Sequence, residues 1–108
     1  MLVIRSVLKM TPRPDCADAV VELFRREQVF ERALTVEGCQ DVSLLLRSDE
    51  ILVTASWVDA EAYQAWVDHP ERNVMGDELN DLLVEPITAE SVGGVYQVAL
   101  AESRTEEP

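Results

Sequence analysis

Three aromatic side chains near the middle of the chain are the residues best suited to bind a planar ligand. Trp57, Tyr63 and Trp66 lie within one short stretch of the sequence. Aromatic rings stack on planar molecules, but they also fill protein cores. Two roles therefore stay open for these residues, the wall of an aromatic-lined pocket and the closing of the core, and for Trp57 we favour the core.

Glu27 is the first candidate for acid–base chemistry. It falls in the middle of an apolar stripe, between Leu23 and Phe30. Burial of a carboxylate is costly and raises its pKa, so a carboxylate that faces a pocket can act as a base. The alternative is a residue at the edge of the stripe that pairs with Arg5 or another arginine.

His69 and Arg5 complete the candidate catalytic set. His69 is the only histidine, and its ring can take up a proton near neutral pH. It is alternatively an exposed residue at a helix end. Arg5, like Lys9, could hold an oxyanion or extend outward at the sheet edge. These residues form no motif of fixed spacing, and the sequence contains no phosphate-binding loop, nucleophile elbow or metal-ligand cluster.

Composition and charge narrow the classes of function. The chain has 108 residues, of which 47% are hydrophobic, and a formal net charge of −12. We expect one folded domain at residues 1–100 and a flexible acidic tail at 101–108. Such an acidic chain is not expected to bind nucleic acid or an anionic membrane surface. The sequence has no apolar run long enough to span a membrane, so the protein is expected to be cytoplasmic. Its two cysteines, Cys16 and Cys39, are expected to be buried and reduced, and no metal site is expected.

The apolar pattern predicts an α+β domain in the order strand, helix, strand, strand, helix, strand. The predicted elements are a strand at 2–10, a helix from Asp15 to Leu34, strands at 39–47 and 51–58 joined by a hairpin, a helix capped by Asp59 and interrupted at Pro70, a further helix at 71–84, and a strand at 92–100 with a bulge at Gly93-Gly94. This order is that of a ferredoxin-like βαββαβ fold with an antiparallel sheet.

The helices of such a fold cover one sheet face only. We expect Arg5 and Lys9 to face the helices, so that the other face is aliphatic. Its expected members are Leu2, Ile4, Leu8, Leu44, Leu46 and Leu52. A bare apolar face of this size is unfavourable in water, so a second copy of the chain is expected to cover it in a homodimer.

The stretch from Trp57 to Trp66, WVDAEAYQAW, resembles the antibiotic biosynthesis monooxygenase superfamily. The resemblance extends over residues 1–100 and includes Phe24, Gly38 and a closing strand near Tyr96. It implies a dimeric α/β barrel with a pocket between sheet and helices. It also implies oxidation of an electron-rich aromatic, such as an anthrone, polycyclic phenol or quinol, by O₂ without metal or flavin, an activity that suits secondary metabolism. Related barrels cyclise polyketides or have no known activity, so a cyclase and a non-catalytic ligand-binding dimer stay open.

Heme degradation, the activity of another branch of that superfamily, is the least favoured alternative. Trp66 matches a functional tryptophan of those enzymes. Their first-strand asparagine is replaced by Val7, and the positions that match their iron-ligating histidine hold Met75 and Gly76.

We therefore predict that the protein binds a small aromatic ligand and uses no cofactor. The candidate catalytic residues are Glu27, His69 and Arg5. The candidate substrate-binding residues are Trp57, Tyr63, Trp66, Phe24, Val7, Arg72, Asn73 and Met75.

Overall fold

Four strands form one antiparallel sheet in the computed structural model, which describes residues 3–73, 75–87, 92–102 and 104. The strands are β1 (Ile4–Met10), β2 (Cys39–Arg47), β3 (Glu50–Trp57) and β4 (Val92–Gln97). Their order across the sheet is β2-β3-β1-β4. This confirms the α+β, ferredoxin-like prediction. Expectations for Leu2, Val74 and most of the 101–108 tail lie outside the described residues.

The strand predictions agree closely with the structure. β2 has the predicted bounds, and β3 begins and ends one residue earlier than expected. The predicted bulge in β4 is confirmed, because Val7 pairs with Gly94 while Leu8 pairs with Val92, which leaves Gly93 as the extra residue.

The predicted first helix is divided in two. Helix α1 spans Ala17–Arg26 and α2 spans Val29–Leu34. Gln28 separates them in a left-handed conformation with φ 53°. Asp15 also has a positive φ and is not the cap; Cys16 occupies that position without a side-chain hydrogen bond. The apolar stripe continues on both sides of the break, so periodicity predicted one helix.

Helix α3 begins as the sequence predicts. It spans Ala60–Val67, and Asp59 Oδ1 accepts a hydrogen bond of 2.9 Å from the Ala62 N–H. Gly38 lies against the same turn: a Cβ on Gly38 would lie 2.7 Å from the Ala62 Cβ. The close approach of Gly38 therefore sets how near α3 packs to the start of β2.

The prediction of one helix at 71–84 is wrong. A 3-10 helix spans Pro70–Asn73 and a short helix α4 spans Gly76–Asp81. After α4 the chain pairs with the segment that follows β1: the Arg13 N–H donates to the Leu82 carbonyl at 2.8 Å. Backbone hydrogen bonds to this segment replace further helical turns, which the spacing of the leucines alone does not predict.

The expected orientation of β1 is also wrong. Ile4 and Met10 face the helices and are buried in the core. Arg5 lies on the other face, where its Nε donates to Ser56 Oγ at 3.3 Å, and Lys9 Nζ pairs there with Glu50 at 3.4 Å. Alternation separates the two sets of side chains without showing which set faces the helices.

The leucines of the β2–β3 hairpin divide between the two faces. Leu44 pairs with Val53 and packs against the core, so it does not belong to the bare face. Leu46 pairs with the fully buried Ile51 and has the same orientation. Leu45 pairs with Leu52 on the face turned away from the helices. Of the predicted bare-face residues that the structure describes, only Leu52 has the expected orientation.

The core lies between the sheet and the helices. Its most completely buried large side chains are those of Trp57, Ile51, Leu83 and Val20. The two cysteines are free thiols and only half-buried, although both were expected to be buried.

Candidate functional site

A cavity of about 800 Å³ lies between the helix-facing side of the sheet and the helices. Its size is within the range of small-molecule pockets, about 300–1,000 Å³. Every strand of the sheet except β4 contributes to its wall, as do α1, α2, α3 and α4. Most of the wall is apolar: Leu8, Phe24, Val29, Phe30, Ala33, Val42, Val53, Ala55, Trp57, Trp66, Met75, Leu79 and Ile87.

Trp57 forms part of the floor and is held in place from two sides. Its indole N–H donates to Ser6 Oγ at 3.0 Å. Its ring meets Tyr63 edge to face, with ring centroids 5.7 Å apart. Trp57 is only 1% exposed, so it closes the core as well as lining the cavity. The two roles considered for this residue are thus compatible.

Trp66 lies in the wall one turn after Tyr63 on α3. Its outer side contacts the His69 ring, with centroids 5.5 Å apart. His69 Nδ1 accepts a hydrogen bond of 3.1 Å from the Glu71 N–H. His69 does not line the cavity. Trp66, rather than its neighbour His69, lines the cavity here, and a catalytic role for His69 stays a prediction.

Four further predicted binding residues are distributed around the same cavity. Phe24, Arg72 and Met75 line it, and Phe24 packs edge to face on Phe30 with centroids 5.8 Å apart. Val7 also borders it, although strand alternation directs its side chain to the other face, so that its backbone forms the wall. The Asn73 side chain lies outside the described part of the structure. Ligand binding by these residues stays a prediction.

Glu27, the first candidate base, is not among the residues that line the cavity. It is the residue that ends α1, just before the left-handed Gln28, and its Oε2 lies 3.3 Å from Arg26 Nε. This is the arginine-paired alternative that the sequence left open. Arg5 is excluded from the wall as well, because it lies on the opposite sheet face.

Two ion pairs fasten the chain segment that covers the cavity. This cover, residues 70–81, consists of the 3-10 helix and α4. Arg26 Nη2 on α1 lies 2.7 Å from Glu78 Oε1, and Arg32 Nη1 on α2 lies 3.3 Å from Glu71 Oε1. The hydrogen bonds to Glu78 and then to Glu27 raise the pKa of Arg26. The cover is thus attached to the first two helices by charge as well as by packing.

The polar groups of the wall are few and lie mainly at the cover. Ser6 and Tyr63 lie on the sheet and α3 sides, and the others are Arg72, Asp77, Glu78 and Asn80. Asn80 Oδ1 accepts from the Ile87 N–H at 2.9 Å and so fixes the chain after α4. Asp77, Glu78 and Asn80 were not predicted as site residues. The only signal that the sequence carries is their place in the segment 71–84, which it predicts as a helix packed on the core.

The part of the chain that the structure describes has neither a metal-ligand cluster nor a membrane-spanning helix. It contains no group of three or more histidine, cysteine, aspartate or glutamate side chains arranged to hold a metal ion. Among the helices of this same part of the chain, none has the length and apolar character that crossing a bilayer requires.

A comparison with protein families shows the family to which this chain is similar. A family model for antibiotic biosynthesis monooxygenases matches residues 3–75, the region that contains the whole β1–α3 frame and its aromatic wall. The chain belongs to the antibiotic biosynthesis monooxygenase family. The match ends at Met75, so the second half of the cover, helix α4, lies beyond it. A comparison with curated proteins finds no match.

Solved structures with the same fold include members of this family. A conserved protein from Methanosarcina mazei Go1 is similar with a TM-score of 0.73 and 19% identity, over 89% of this chain and 92% of that one. Rv0793 from Mycobacterium tuberculosis has a TM-score of 0.69 and 17% identity, over 95% and 99%. SnoaB from Streptomyces nogalater, a cofactor-independent oxygenase, has a TM-score of 0.69 and 16% identity, over 92% and 95%. At these identities the likeness concerns the fold.

Proposed function

We propose that this family member is a cofactor-independent monooxygenase that oxidises an electron-rich aromatic, such as an anthrone, polycyclic phenol or quinol, with O₂. The observation that supports this most is the apolar cavity of about 800 Å³ with Trp57, Tyr63 and Trp66 in its wall. In the conversion of an anthrone to a quinone, the ring CH₂ loses two hydrogens, one oxygen atom enters as the new carbonyl, and the other leaves as water. The substrate itself supplies the electrons.

The protein would contribute position and a dry environment to this reaction. An apolar cavity excludes water from reactive intermediates and strengthens the electrostatic interactions inside it. Aromatic walls hold a planar substrate in one orientation. The fold shared with SnoaB, whose description is that of a cofactor-independent oxygenase, adds support for the same reaction class. The half-buried free thiols suit a reducing compartment, and we propose the cytoplasm.

Oxygen consumption by metal-stripped protein tests this proposal. With dithranol, a reduced anthrone, we expect a rate above autoxidation that scales with protein concentration, survives chelators and yields the quinone. Ala33→Leu adds bulk at a buried wall position and should reduce the rate. Ala65→Leu, at an exposed position of α3, is the matched control and should not. A panel of anthrones, phenols and quinols without any rate above the protein-free control would contradict the proposal.

A non-catalytic ligand-binding protein is the second candidate. It is favoured by one observation, namely that Glu27, His69 and Arg5 all lie outside the cavity wall. The two candidates differ in the oxygen assay alone, because both predict that a planar aromatic binds. Saturable quenching of tryptophan fluorescence by the product quinone, without oxygen consumption by any reduced substrate, would establish the second.

We also propose that the chain forms a homodimer through the sheet face turned away from the helices. This face carries Val7, Leu45 and Leu52, and the Leu45 side chain is 51% exposed in the single chain. A second copy would remove these side chains from water, which is favourable by about 25 cal/mol per Å² of apolar surface.

Two adjacent leucines of β2 provide a matched test of the dimer. Leu45 and Leu46 are 51% and 50% exposed but lie on opposite faces of the same strand. Sedimentation of the wild type should give twice the chain mass. Leu45→Glu should shift the protein toward the monomer, and Leu46→Glu should not. A monomeric wild type, or equal effects of the two changes, would refute this interface.

A further inference from the structure

The cavity wall contains a single cationic side chain. Among its described residues the ionisable ones are Tyr63, Arg72, Asp77 and Glu78, and only Arg72 carries positive charge. Arg72 is half-buried in the 3-10 helix of the cover. A guanidinium is a strong donor to an oxyanion, because the hydrogen bond is charge-assisted and can be bidentate.

The neighbouring charges are arranged so that Arg72 stays available. Glu71, the adjacent residue, pairs with Arg32 of α2 at 3.3 Å, and Glu78 pairs with Arg26 of α1 at 2.7 Å. Both carboxylates are thus engaged by arginines outside the cavity. Within the described residues Arg72 has no ion-pair partner, which is also true of Arg5, Arg13 and Arg104, but of these four only Arg72 lines the cavity.

We infer that Arg72 is the specificity residue of the cavity. It selects planar aromatics that carry an ionised oxygen, either a phenolate or an enolate. That oxygen is at the edge of the ligand that lies beneath the cover. For the reaction, this inference rests on the proposed function. The predicted preference in ligand binding does not depend on it. The rings occupy the aromatic wall, and the oxyanion accepts hydrogen bonds from the guanidinium. The proton leaves to solvent before or during binding, so the wall needs no dedicated base, in agreement with the positions of Glu27 and His69.

Asp77 provides the opposing charge within the wall. It lies at the start of α4, is exposed, and has no ion pair among the described residues. A carboxylate close to the same ligand raises the cost of binding an anion. Asp77→Asn is therefore expected to tighten binding of the anion, the opposite of the effect of removing Arg72.

The test compares two ligands of nearly the same shape that differ in charge. Alizarin ionises with a visible change in absorption, and its dimethyl ether stays neutral. Wild-type protein should bind the alizarin anion more tightly than the ether, and bound alizarin should ionise at lower pH than free alizarin. Arg72→Met should weaken binding of the anion by about 10- to 100-fold, the range of a charge-assisted hydrogen bond, with little change for the ether. Arg72→Lys should retain an intermediate affinity.

Arg13→Met is the matched control. Arg13 is an exposed arginine outside the cavity wall, so its removal alters net charge equally and should leave both affinities unchanged. Equal weakening of both ligands by Arg72→Met would mean that the arginine only packs, and would overturn the inference. So would an unchanged affinity for the anion, or a wild-type protein that binds neither ligand. Absence of oxygen consumption with dithranol, together with the expected ligand preference, would instead refute the proposed reaction and leave the inference in place.

Discussion

Replacement of Gly38 by alanine should destabilise the protein strongly, because two separate constraints meet at this residue. Its φ is +96°, where residues with a Cβ are strained. A Cβ would also lie 2.7 Å from the Ala62 Cβ and 2.8 Å from the Val58 Cγ2. Backbone strain costs about 1–3 kcal/mol, and overpacking costs about 1–3 kcal/mol. The reduced entropy of the unfolded chain offsets about 0.4–1 kcal/mol, so we expect a net loss of about 1–6 kcal/mol.

Urea denaturation followed by circular dichroism measures this loss. The double variant Gly38→Ala, Ala62→Gly removes the nearest clash and should recover only part of it, because the φ strain and the Val58 contact stay. Gly76→Ala is the matched control: its Cβ would meet nothing within 4 Å, and alanine favours the helix that begins there. If Gly38→Ala costs no more than Gly76→Ala, or if Ala62→Gly recovers nothing, the close packing of α3 on Gly38 is refuted.

Three further outcomes follow from individual contacts. Arg26→Gln removes the 2.7 Å contact with Glu78, so hydrogen exchange of the α4 amides should accelerate. Arg25→Gln on the same helix should leave that exchange unchanged. Equal exchange rates in the two variants would show that the ion pair does not hold the cover. Burial and, secondarily, Asp41 raise the pKa of the Cys39 thiol, so its contribution to stability is complete below its ordinary value of 9.0 and is lost as pH rises through the higher folded-state pKa. Cys39→Ala should reduce this alkaline loss and Cys16→Ala should not. Tyr63→Phe and Trp66→Phe should mainly alter ligand affinity, because both variants keep a ring in the wall. Fluorescence quenching measures this affinity. A loss of turnover at unchanged affinity would assign these residues a chemical role.

Local signals in the sequence were sufficient for the strands and for α3. Alternation defined β2, a carboxylate before an apolar run defined the Asp59 cap, and two consecutive glycines indicated the bulge in β4. Each of these features depends on residues close together in the chain.

The errors came from properties that depend on distant parts of the chain. Alternation in β1 gave two plausible faces, and only packing against the helices distinguishes Ile4 from Arg5. Gln28 adopts a left-handed conformation without the glycine that usually marks one, so the break between α1 and α2 left no compositional trace. Glu27 lies directly before that break and is not among the residues that line the cavity. The aromatic wall, by contrast, was predictable because its three residues share one short stretch.

The acidity of the chain has to be reconciled with an anionic ligand. A net charge of −12 repels anions at a distance, but this repulsion is screened over about 8 Å at physiological ionic strength. A contact between an oxyanion and Arg72 inside the cavity is shorter than that, so it is screened less than the repulsion from distant charges. A polyanion such as nucleic acid must instead lie along the acidic surface, where no single contact compensates for the repulsion. We therefore expect the same charge distribution to disfavour long anionic partners and still to admit a small aromatic anion, provided that Arg72 meets it beneath the cover.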